Sequence, residues 1–262
     1  MQITVLIGML LFSGLWSTAL LANCVIRFAV SGAFPPYHIQ TPDTQWGGLA
    51  VDLLKELVAV AECQFTLANV PWDRAVQMLE NGELDMLSYY TPTAERDRFS
   101  VYIGPMAVEQ LVLLTHRKWL AELQTIDDLA GFDGIVGKTQ GTFHGESLER
   151  IATALEQRQH LVRVAHNQSR IGMLATGRVD AVFEDATVAQ YLLSSGILDP
   201  QQFAVAQRFT SQPVFFALSK ASVPTETVER LTLGWQQLRQ NRTVEAVYRR
   251  YGLDAPSQLT EK

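Results

Sequence analysis

The chain has 262 residues, of which 47% are hydrophobic and only 18% are charged, with a formal net charge of −6 at pH 7. A chain this apolar buries enough surface to offset the entropy lost on folding, so intrinsic disorder is excluded. The chain has 21 basic and 27 acidic residues. Proteins that bind nucleic acid need a basic surface, so we expect no nucleic-acid partner. The length fits one large domain or two small ones.

The first 22 residues contain no Asp, Glu, Lys, Arg or His, and they end in the small residue Ala22. An apolar N-terminal stretch of this kind predicts a secretory signal peptide over residues 1–22. An uncleaved membrane anchor is the alternative, because the length just permits a membrane span. No other segment of the sequence reaches the roughly 18 apolar residues that a membrane span needs.

The two cysteines, Cys24 and Cys63, each precede a run typical of a β-strand, at 25–30 and 64–69. If these runs are neighbouring parallel strands, both thiols lie at the same edge of the sheet and can form a disulfide. One alternative is that both cysteines are buried free thiols. A second alternative is that Cys24 is lipidated, although a small residue should precede a lipidated cysteine and Asn23 stands there. We expect an exported protein with an oxidised Cys24–Cys63 pair.

Strand-like runs alternate with helical periodicity from residue 24 onward, in two sets. The first set has predicted strands at 25–30, 64–69 and 84–90 and predicted helices at 50–62 and 72–81. The second set begins near residue 126, with strands at 134–138, 161–165 and 180–185 and helices at 145–158, 168–176 and 187–195. Two last helices are predicted at 224–239 and 243–250. This βαβ order predicts mainly parallel sheet covered by helices.

Two extended apolar runs, at 107–116 and 213–219, lie between the sets. No long linker rich in Gly, Ser or Pro separates the two sets. Two α/β units joined by two extended crossings predict a two-lobed protein with a hinge and a shared cleft.

Polar and aromatic residues follow the predicted strands at the carboxyl ends, where open α/β sheets bind ligands. The segments are 31–37, 88–91 with Arg96 after it, 139–143, and Asp185. Arg can hold a carboxylate through two parallel hydrogen bonds, and Asp can hold an ammonium group. Together these segments complement a zwitterion.

Each of these residues also has a structural interpretation when it is taken alone. Arg96 is typical of a solvated charge or of a helix-cap partner. Asp185 is well placed to cap the helix that follows it. Phe34 and Tyr37, beside two prolines, are also compatible with core packing under a rigid turn.

Seven motifs occur along the chain in one characteristic order. They are FPPY (34–37), GGLAVDLL (47–54), PWDRAVQMLENGELDML (71–87), TAER (93–96), DLAGFDGIVGKTQGT (128–142), LATGRVDAVFED (174–185) and NRTVEAVYRRYG (241–252). With these motifs the sequence resembles, over residues 25–252, the family 3 extracellular solute-binding proteins, the receptors of polar amino acid uptake transporters. The resemblance implies the α/β periplasmic-binding-protein fold (type II, Venus-flytrap), with two lobes and two crossover hinge strands. It implies lobe 1 at 23–110 and 208–262, and lobe 2 at 111–207.

The resemblance also implies roles for individual residues. By position, Phe34 matches the aromatic ring that stacks over the ligand in this family, and Arg96 the anchor of the ligand carboxylate. Asp185 matches the acid that takes the α-ammonium, and Thr142 a polar loop residue from the second lobe. The other candidate ligand-binding residues are Tyr37, Trp72, Ser88, Tyr89, Tyr90, Thr91, Gln140, Gly141 and Phe143. Packing at a helix start is the alternative for Trp72.

Two departures from the family pattern concern the ligand. Ser31 stands where many members carry Asp, which removes one partner for a basic ligand side chain. Tyr89 and Tyr90 stand in place of a run of small residues, and two tyrosines there are expected either to narrow the pocket or to favour stacking on a flat ligand.

The resemblance implies a monomeric periplasmic protein that binds an amino acid or a similar zwitterion and passes it to an ABC transporter permease. No enzymatic activity, cofactor or metal is expected. One alternative is a stand-alone sensor or partner-binding domain, and another is a cyclohexadienyl-dehydratase-like enzyme on the same scaffold. Such an enzyme needs an acid in the cleft. Glu184 and Asp185 are predicted to point to opposite faces of a strand, so they make no obvious acid pair.

Overall fold

The computed structural model describes residues 24–43 and 45–256. The predicted signal peptide, residues 1–22, lies outside the described residues. Among the helices within those two ranges, none has the length and the apolar character needed to cross a membrane.

The described part of the chain contains strands and helices in alternation. The strands are β1 (Val25–Val30), β2 (Ile39–Gln40), β3 (Trp46–Gly47), β4 (Gln64–Asn69), β5 (Met86–Tyr90), β6 (Ser100–His116), β7 (Val136–Thr139), β8 (Leu161–Val164), β9 (Ala181–Asp185) and β10 (Phe203–Ser219). The helices are α1 (Leu49–Val60), α2 (Trp72–Glu80), α3 (Ile126–Gly131), α4 (Glu146–Gln157), α5 (Asn167–Ala175), α6 (Ala186–Ser194), α7 (Thr225–Gln240) and α8 (Thr243–Arg250). The predicted helices and short strands are all present, with their ends displaced by a few residues at most.

One continuous sheet of eight strands runs through the molecule in the order β4-β1-β5-β10-β6-β9-β7-β8. Its two central strands, β6 and β10, have 17 residues each and pair antiparallel over most of their length. On one side of them lies lobe 1, formed by β1, β4 and β5 with α1, α2, α7 and α8. On the other side lies lobe 2, formed by β7–β9 with α3–α6. The two-lobed α/β fold with two crossing strands is confirmed, while the exact lobe boundaries, which fall inside β6 and β10, stay a prediction.

Helices cover both faces of the sheet in lobe 1. Helix α1 places Leu53, Leu54 and Leu57 on one face, and all three are fully buried, as the spacing of an amphipathic helix requires. Helix α2 covers the opposite face with Ala75 and Leu79. Because both faces are covered, polar groups gather where the parallel strands end.

The crossing strands are longer than the sequence pattern predicts. The predicted runs cover 107–116 and 213–219, whereas β6 begins at Ser100 and β10 at Phe203. Gly104 and Pro105 lie just before the first predicted run, inside β6. They hide the earlier part of this strand from the sequence pattern, because Pro cannot donate a ladder hydrogen bond and is uncommon inside a strand. The pairing register shifts between Val214 and Phe216, opposite Gly104 and Pro105.

The disulfide between Cys24 and Cys63 is confirmed. Strands β1 and β4 pair in parallel with Val25 opposite Gln64, so the preceding cysteines meet at the same edge of the sheet. The bond closes a loop with a sequence separation of 39.

Replacing both cysteines by serine is expected to lower the free energy of unfolding by roughly 4 kcal/mol, because the unfolded chain regains the entropy of a loop of about 40 residues. Urea unfolding of the oxidised protein and of the double variant measures the difference. A reductant should lower the stability of the parent chain and leave the variant unchanged. Equal unfolding midpoints in the parent and the variant would contradict the prediction.

Candidate ligand-binding site

A cavity lies between the two lobes, where β1, β5, β7 and β9 end. Its volume is about 70 Å³, which corresponds to about two water molecules at the roughly 30 Å³ that each occupies in the liquid. Nine of the predicted site residues line it, namely Phe34, Trp72, Ser88, Tyr89, Thr91, Arg96, Thr142, Phe143 and Asp185. All four of the predicted polar segments therefore contribute to one cavity.

Four predicted site residues lie behind the cavity wall or beside it. Tyr37 is buried, and its ring packs on those of Phe34 and Tyr89, with centroids 5.5 and 4.4 Å apart. Tyr90 is fully buried in the core of lobe 1. The other two, Gln140 and Gly141, make contacts between the lobes and are described below.

Arg96 is buried, with 7% of its surface exposed. Its Nη1 donates to the carbonyl of Thr91 at 2.8 Å and its Nη2 to the carbonyl of Gly141 at 3.0 Å. The guanidinium carbon lies 4.4 Å from the ring centroid of Tyr90, a cation–π contact. Among the described residues no carboxylate forms an ion pair with it. A solvated charge is thus excluded, and the buried cation is suited to an anionic group.

Asp185 lies on the opposite, lobe 2 wall of the cavity and is 2% exposed. It caps α6, because its Oδ1 accepts hydrogen bonds from the backbone N–H groups of Thr187 at 2.9 Å and Val188 at 3.2 Å. Its Oδ2 accepts from the N–H of Gln110 at 3.3 Å. Burial nevertheless raises the pKa of this carboxyl. The capping interpretation is correct, and the same carboxylate still faces the cavity.

Tyr89 adopts a backbone conformation that is rare for a residue other than glycine. Its φ is +56° inside β5, in the left-handed region where a side chain is strained. The ring lies 5.2 Å from that of Phe34, so the turned backbone places a second aromatic ring on the cavity wall.

Several buried polar atoms of the cavity wall have no hydrogen-bond partner within the described chain. They are Ser31 Oγ, His144 Nδ1 and Arg170 Nε. Buried polar groups are almost always paired in native proteins. Their concentration at one cavity indicates a site built for a polar ligand.

Sequence reasoning missed further residues of the cavity wall, notably His38, Glu109 and Arg170. His38 Nε2 lies 2.9 Å from Ser88 Oγ, and burial lowers the pKa of His38 to about 4. Arg170 pairs with Glu184 at 2.7 Å. Glu184 and Asp185 were predicted to point to opposite faces of their strand, but both line the cavity.

Glu109 is the residue for which the sequence contained a signal, because it is an acid inside the apolar run 107–116. It is 7% exposed and lines the cavity from β6. Its Oε2 accepts a hydrogen bond from Gln212 Nε2 at 2.9 Å. Burial raises its pKa to about 7, so the side chain changes charge near neutral pH.

Three hydrogen bonds join the lobes beside the cavity, and we call them the interlobe latch. Trp72 Nε1 and Arg96 Nη2 both donate to the Gly141 carbonyl, at 3.2 and 3.0 Å. Gln140 Nε2 donates to Asp73 Oδ2 at 3.1 Å. Gly141 has φ +74°, and a Cβ at this position would lie 3.0 Å from Asp73 Cα. The lobes are closed on each other, and a ligand larger than the cavity enters only if the latch opens.

The fold and this cavity define a bilobed protein with a largely polar-lined cavity between its lobes. Residues 26–120 match the family model of the bacterial extracellular solute-binding proteins, family 3. The chain is 24% identical over 194 residues to "ABC transporter arginine-binding protein 1" of Escherichia coli, covering 73% of this chain and 74% of that protein. It is 27% identical over 184 residues to the "L-arginine-binding protein" of Pseudomonas aeruginosa, and the match covers 69% of this chain and 68% of that protein.

Solved structures agree in fold. An ancestral arginine-binding protein bound to arginine superposes with a TM-score of 0.76 and 18% identity, over 87% of this chain and 98% of that one. A histidine kinase sensor domain with similarity to periplasmic binding proteins gives a TM-score of 0.75 and 17% identity, over 89% and 99%. The resemblance found in the sequence motifs is confirmed: residues 26–120 match the family model of the family 3 extracellular solute-binding proteins, and the solved structures share the two-lobed fold.

The Glu109→Gln variant is expected to stabilise the chain at pH 8 by a few kcal/mol relative to the parent, and to leave it nearly unchanged at pH 4.5. The Glu109 pKa is about 7 in the folded chain, against an ordinary value of 4.5. Between these values the folded state holds the proton more tightly than the unfolded state, so stability falls as pH rises. Urea unfolding across this pH range measures the difference between the two chains.

Other groups titrate in the same range, but they are common to the parent and the variant. His38, for example, acts with the opposite sign, because its lowered pKa makes stability rise with pH from about 4 to 6.5. The difference between the two chains isolates Glu109. A difference that does not change with pH would contradict the prediction.

The Gly141→Ala variant is expected to open the lobes, because its Cβ would press on Asp73. Gly145→Ala is the matched control, since Gly145 also has a positive φ, +88°, but has no atom within 4 Å of an added Cβ. Both variants bear the cost of a side chain in the left-handed region. Small-angle X-ray scattering should give a larger radius of gyration for Gly141→Ala alone. An equal radius for the two variants would contradict the role assigned to the latch.

Proposed function

We propose that this chain is a periplasmic receptor that captures an amino acid in the interlobe cleft and delivers it to the permease of an ABC-type uptake transporter. The observation that carries the proposal is the pair of opposite charges on opposite lobes. Arg96, a buried cation, lies on the lobe 1 wall, and Asp185, a buried acid, lies on the lobe 2 wall. The carboxylate and the ammonium of one amino acid match them in sign.

Ligand binding and closure are coupled by this arrangement. A zwitterion that spans Arg96 and Asp185 contacts both residues only when the lobes are closed, and a ligand shifts an equilibrium only through such differential contacts. Arg96 donates to the Gly141 carbonyl in the closed chain. We infer that the ligand carboxylate takes the place of this carbonyl.

The relatives support an amino acid as the ligand, since two of them are named for binding arginine. One is named as a component of an ABC transporter, which supports delivery to a permease. The predicted signal peptide supports a periplasmic location. L-Arginine is therefore the first ligand to test, within a panel of the common amino acids.

A sensor function is the second candidate, because the chain shares its fold with a histidine kinase sensor domain. The cleft is compatible with a transport receptor and with a sensor, so the site does not distinguish these two functions. An uptake assay does distinguish them. Deleting the gene should abolish transport of the labelled ligand if the chain is a transport receptor, and leave transport unchanged if it is a sensor.

We propose that the chain is not an enzyme. The acid that an elimination reaction needs would have to be Glu109, because Glu184 is paired with Arg170 and Asp185 accepts three backbone hydrogen bonds. Incubation with prephenate or arogenate tests this alternative. Loss of either compound, abolished by Glu109→Gln, would overturn the binding-protein assignment.

The Arg96→Ala variant should weaken amino acid binding by about 2–5 kcal/mol, as for other truncated partners of a buried charge pair. Arg98→Ala is the matched control, because Arg98 lies on the same short helical turn but is exposed. A thermal shift screen finds the ligand, since a ligand at about 100 times its Kd adds roughly 2.7 kcal/mol of stability. Calorimetry then measures both variants. A loss below tenfold for Arg96→Ala would contradict its role as the carboxylate anchor.

A further inference from the structure

Glu109 occupies a place in the cavity that the proposed contacts of an amino acid backbone do not use. It lies on β6, one of the two strands that cross between the lobes, and its side chain is 7% exposed. Its hydrogen-bond partner is the neutral amide of Gln212, on the neighbouring crossing strand β10. No cation of the described chain forms an ion pair with it.

The charges of the cavity wall do not balance. The described wall carries two arginines, Arg96 and Arg170, and three acids, Glu109, Glu184 and Asp185. Arg170 and Glu184 neutralise each other at 2.7 Å. If Arg96 takes the ligand carboxylate and Asp185 the α-ammonium, then Glu109 is the one acid of the described wall that is left without a positive partner.

A neutral ligand side chain would leave this carboxylate buried and uncompensated. Such a charge is costly, whereas a cation in hydrogen-bond reach repays the cost of burial. We propose that Glu109 is a specificity-determining residue that selects ligands carrying a second positive charge, as the side chain of a basic amino acid does. This inference rests on the proposed function, since it assumes that Arg96 and Asp185 hold the ligand backbone.

The ionisation of Glu109 makes this selection dependent on pH. The charged groups facing Glu109 are Asp185 and Glu184 on β9, which disfavour its charged form, and Arg170 on α5, which favours it. Gln212 on β10 also favours the carboxylate by donating a hydrogen bond. Burial dominates and raises the pKa of Glu109 to about 7. The preference for a cation is therefore complete above neutral pH and lost in acid.

Two pairs of ligands of matched shape test the proposal by calorimetry at pH 8. L-Arginine is compared with L-citrulline, which replaces the guanidinium by a neutral urea, and L-lysine with L-norleucine, which lacks the side-chain ammonium. In the parent chain we expect the charged member of at least one pair to bind more tightly by about thirtyfold, the effect of one buried charge pair. In Glu109→Gln that ratio should fall to within about threefold. Glu226→Gln, which neutralises an exposed acid on α7, should keep the parent ratio.

The remaining outcomes separate this inference from the proposed function. Equal binding within both pairs in the parent chain, or an unchanged ratio in Glu109→Gln, overturns the role of Glu109 and leaves amino acid capture intact. An equal loss for charged and neutral ligands in the variant assigns Glu109 to the ligand backbone and also overturns the proposal. Failure to bind any amino acid overturns the proposed function and this inference with it. Retained neutral-ligand binding shows that the variant is folded, and a ratio in the parent chain that falls at pH 5.5 supports the proposal independently.

Discussion

The buried guanidinium of Arg96, which no carboxylate of the described chain neutralises, is the constraint around which the cleft is organised. The residues around it supply partial rather than full negative charge. The Thr91 carbonyl and the ring of Tyr90 contact it from its own lobe, and the Gly141 carbonyl contacts it from the other lobe. A buried cation held only by dipoles is stabilised further by any anion that reaches it. Under the proposed function, the affinity of the cleft for a carboxylate and the closure of the lobes therefore depend on the same side chain.

Under the two proposals, closure and selectivity depend on where the charged residues lie relative to the two crossing strands. Arg96 belongs to lobe 1 and Asp185 to lobe 2, so their joint use requires a closed molecule. Glu109 lies on a crossing strand, between the two. In the role that we propose for it, Glu109 determines which ligand binds in the cleft rather than whether the cleft closes. The Gly141 carbonyl of the latch accepts a hydrogen bond from the Arg96 guanidinium, so under the proposed function a ligand carboxylate competes with this carbonyl.

Periodicity and strand order predicted the fold well, because the helices α1 and α2 and the short strands each follow one clear apolar pattern. The disulfide followed from the placement of Cys24 and Cys63 before two such strands. The crossing strands were predicted too short, because Pro105 and the polar stretch of β10 interrupt their alternation. Apolar periodicity and the placement of the cysteines are local features of the sequence, so they predict individual strands and helices well.

The site was predicted only in part, because its remaining members depend on contacts distant in sequence. The strand-end rule and the family motifs located Arg96, Asp185 and the aromatic wall. They could not locate Arg170, whose place is set by its ion pair with Glu184. Nor could they show that Tyr37 packs behind the wall, or that Gly141 joins the lobes.

A crystal structure of the chain grown with the amino acid that stabilises it most would test the central claim directly. We expect the ligand carboxylate within hydrogen-bond distance of both Nη atoms of Arg96, the Gly141 carbonyl displaced from that guanidinium, and the α-ammonium against Asp185. A ligand carboxylate bound elsewhere, with the contact between Arg96 and Gly141 retained, would contradict it.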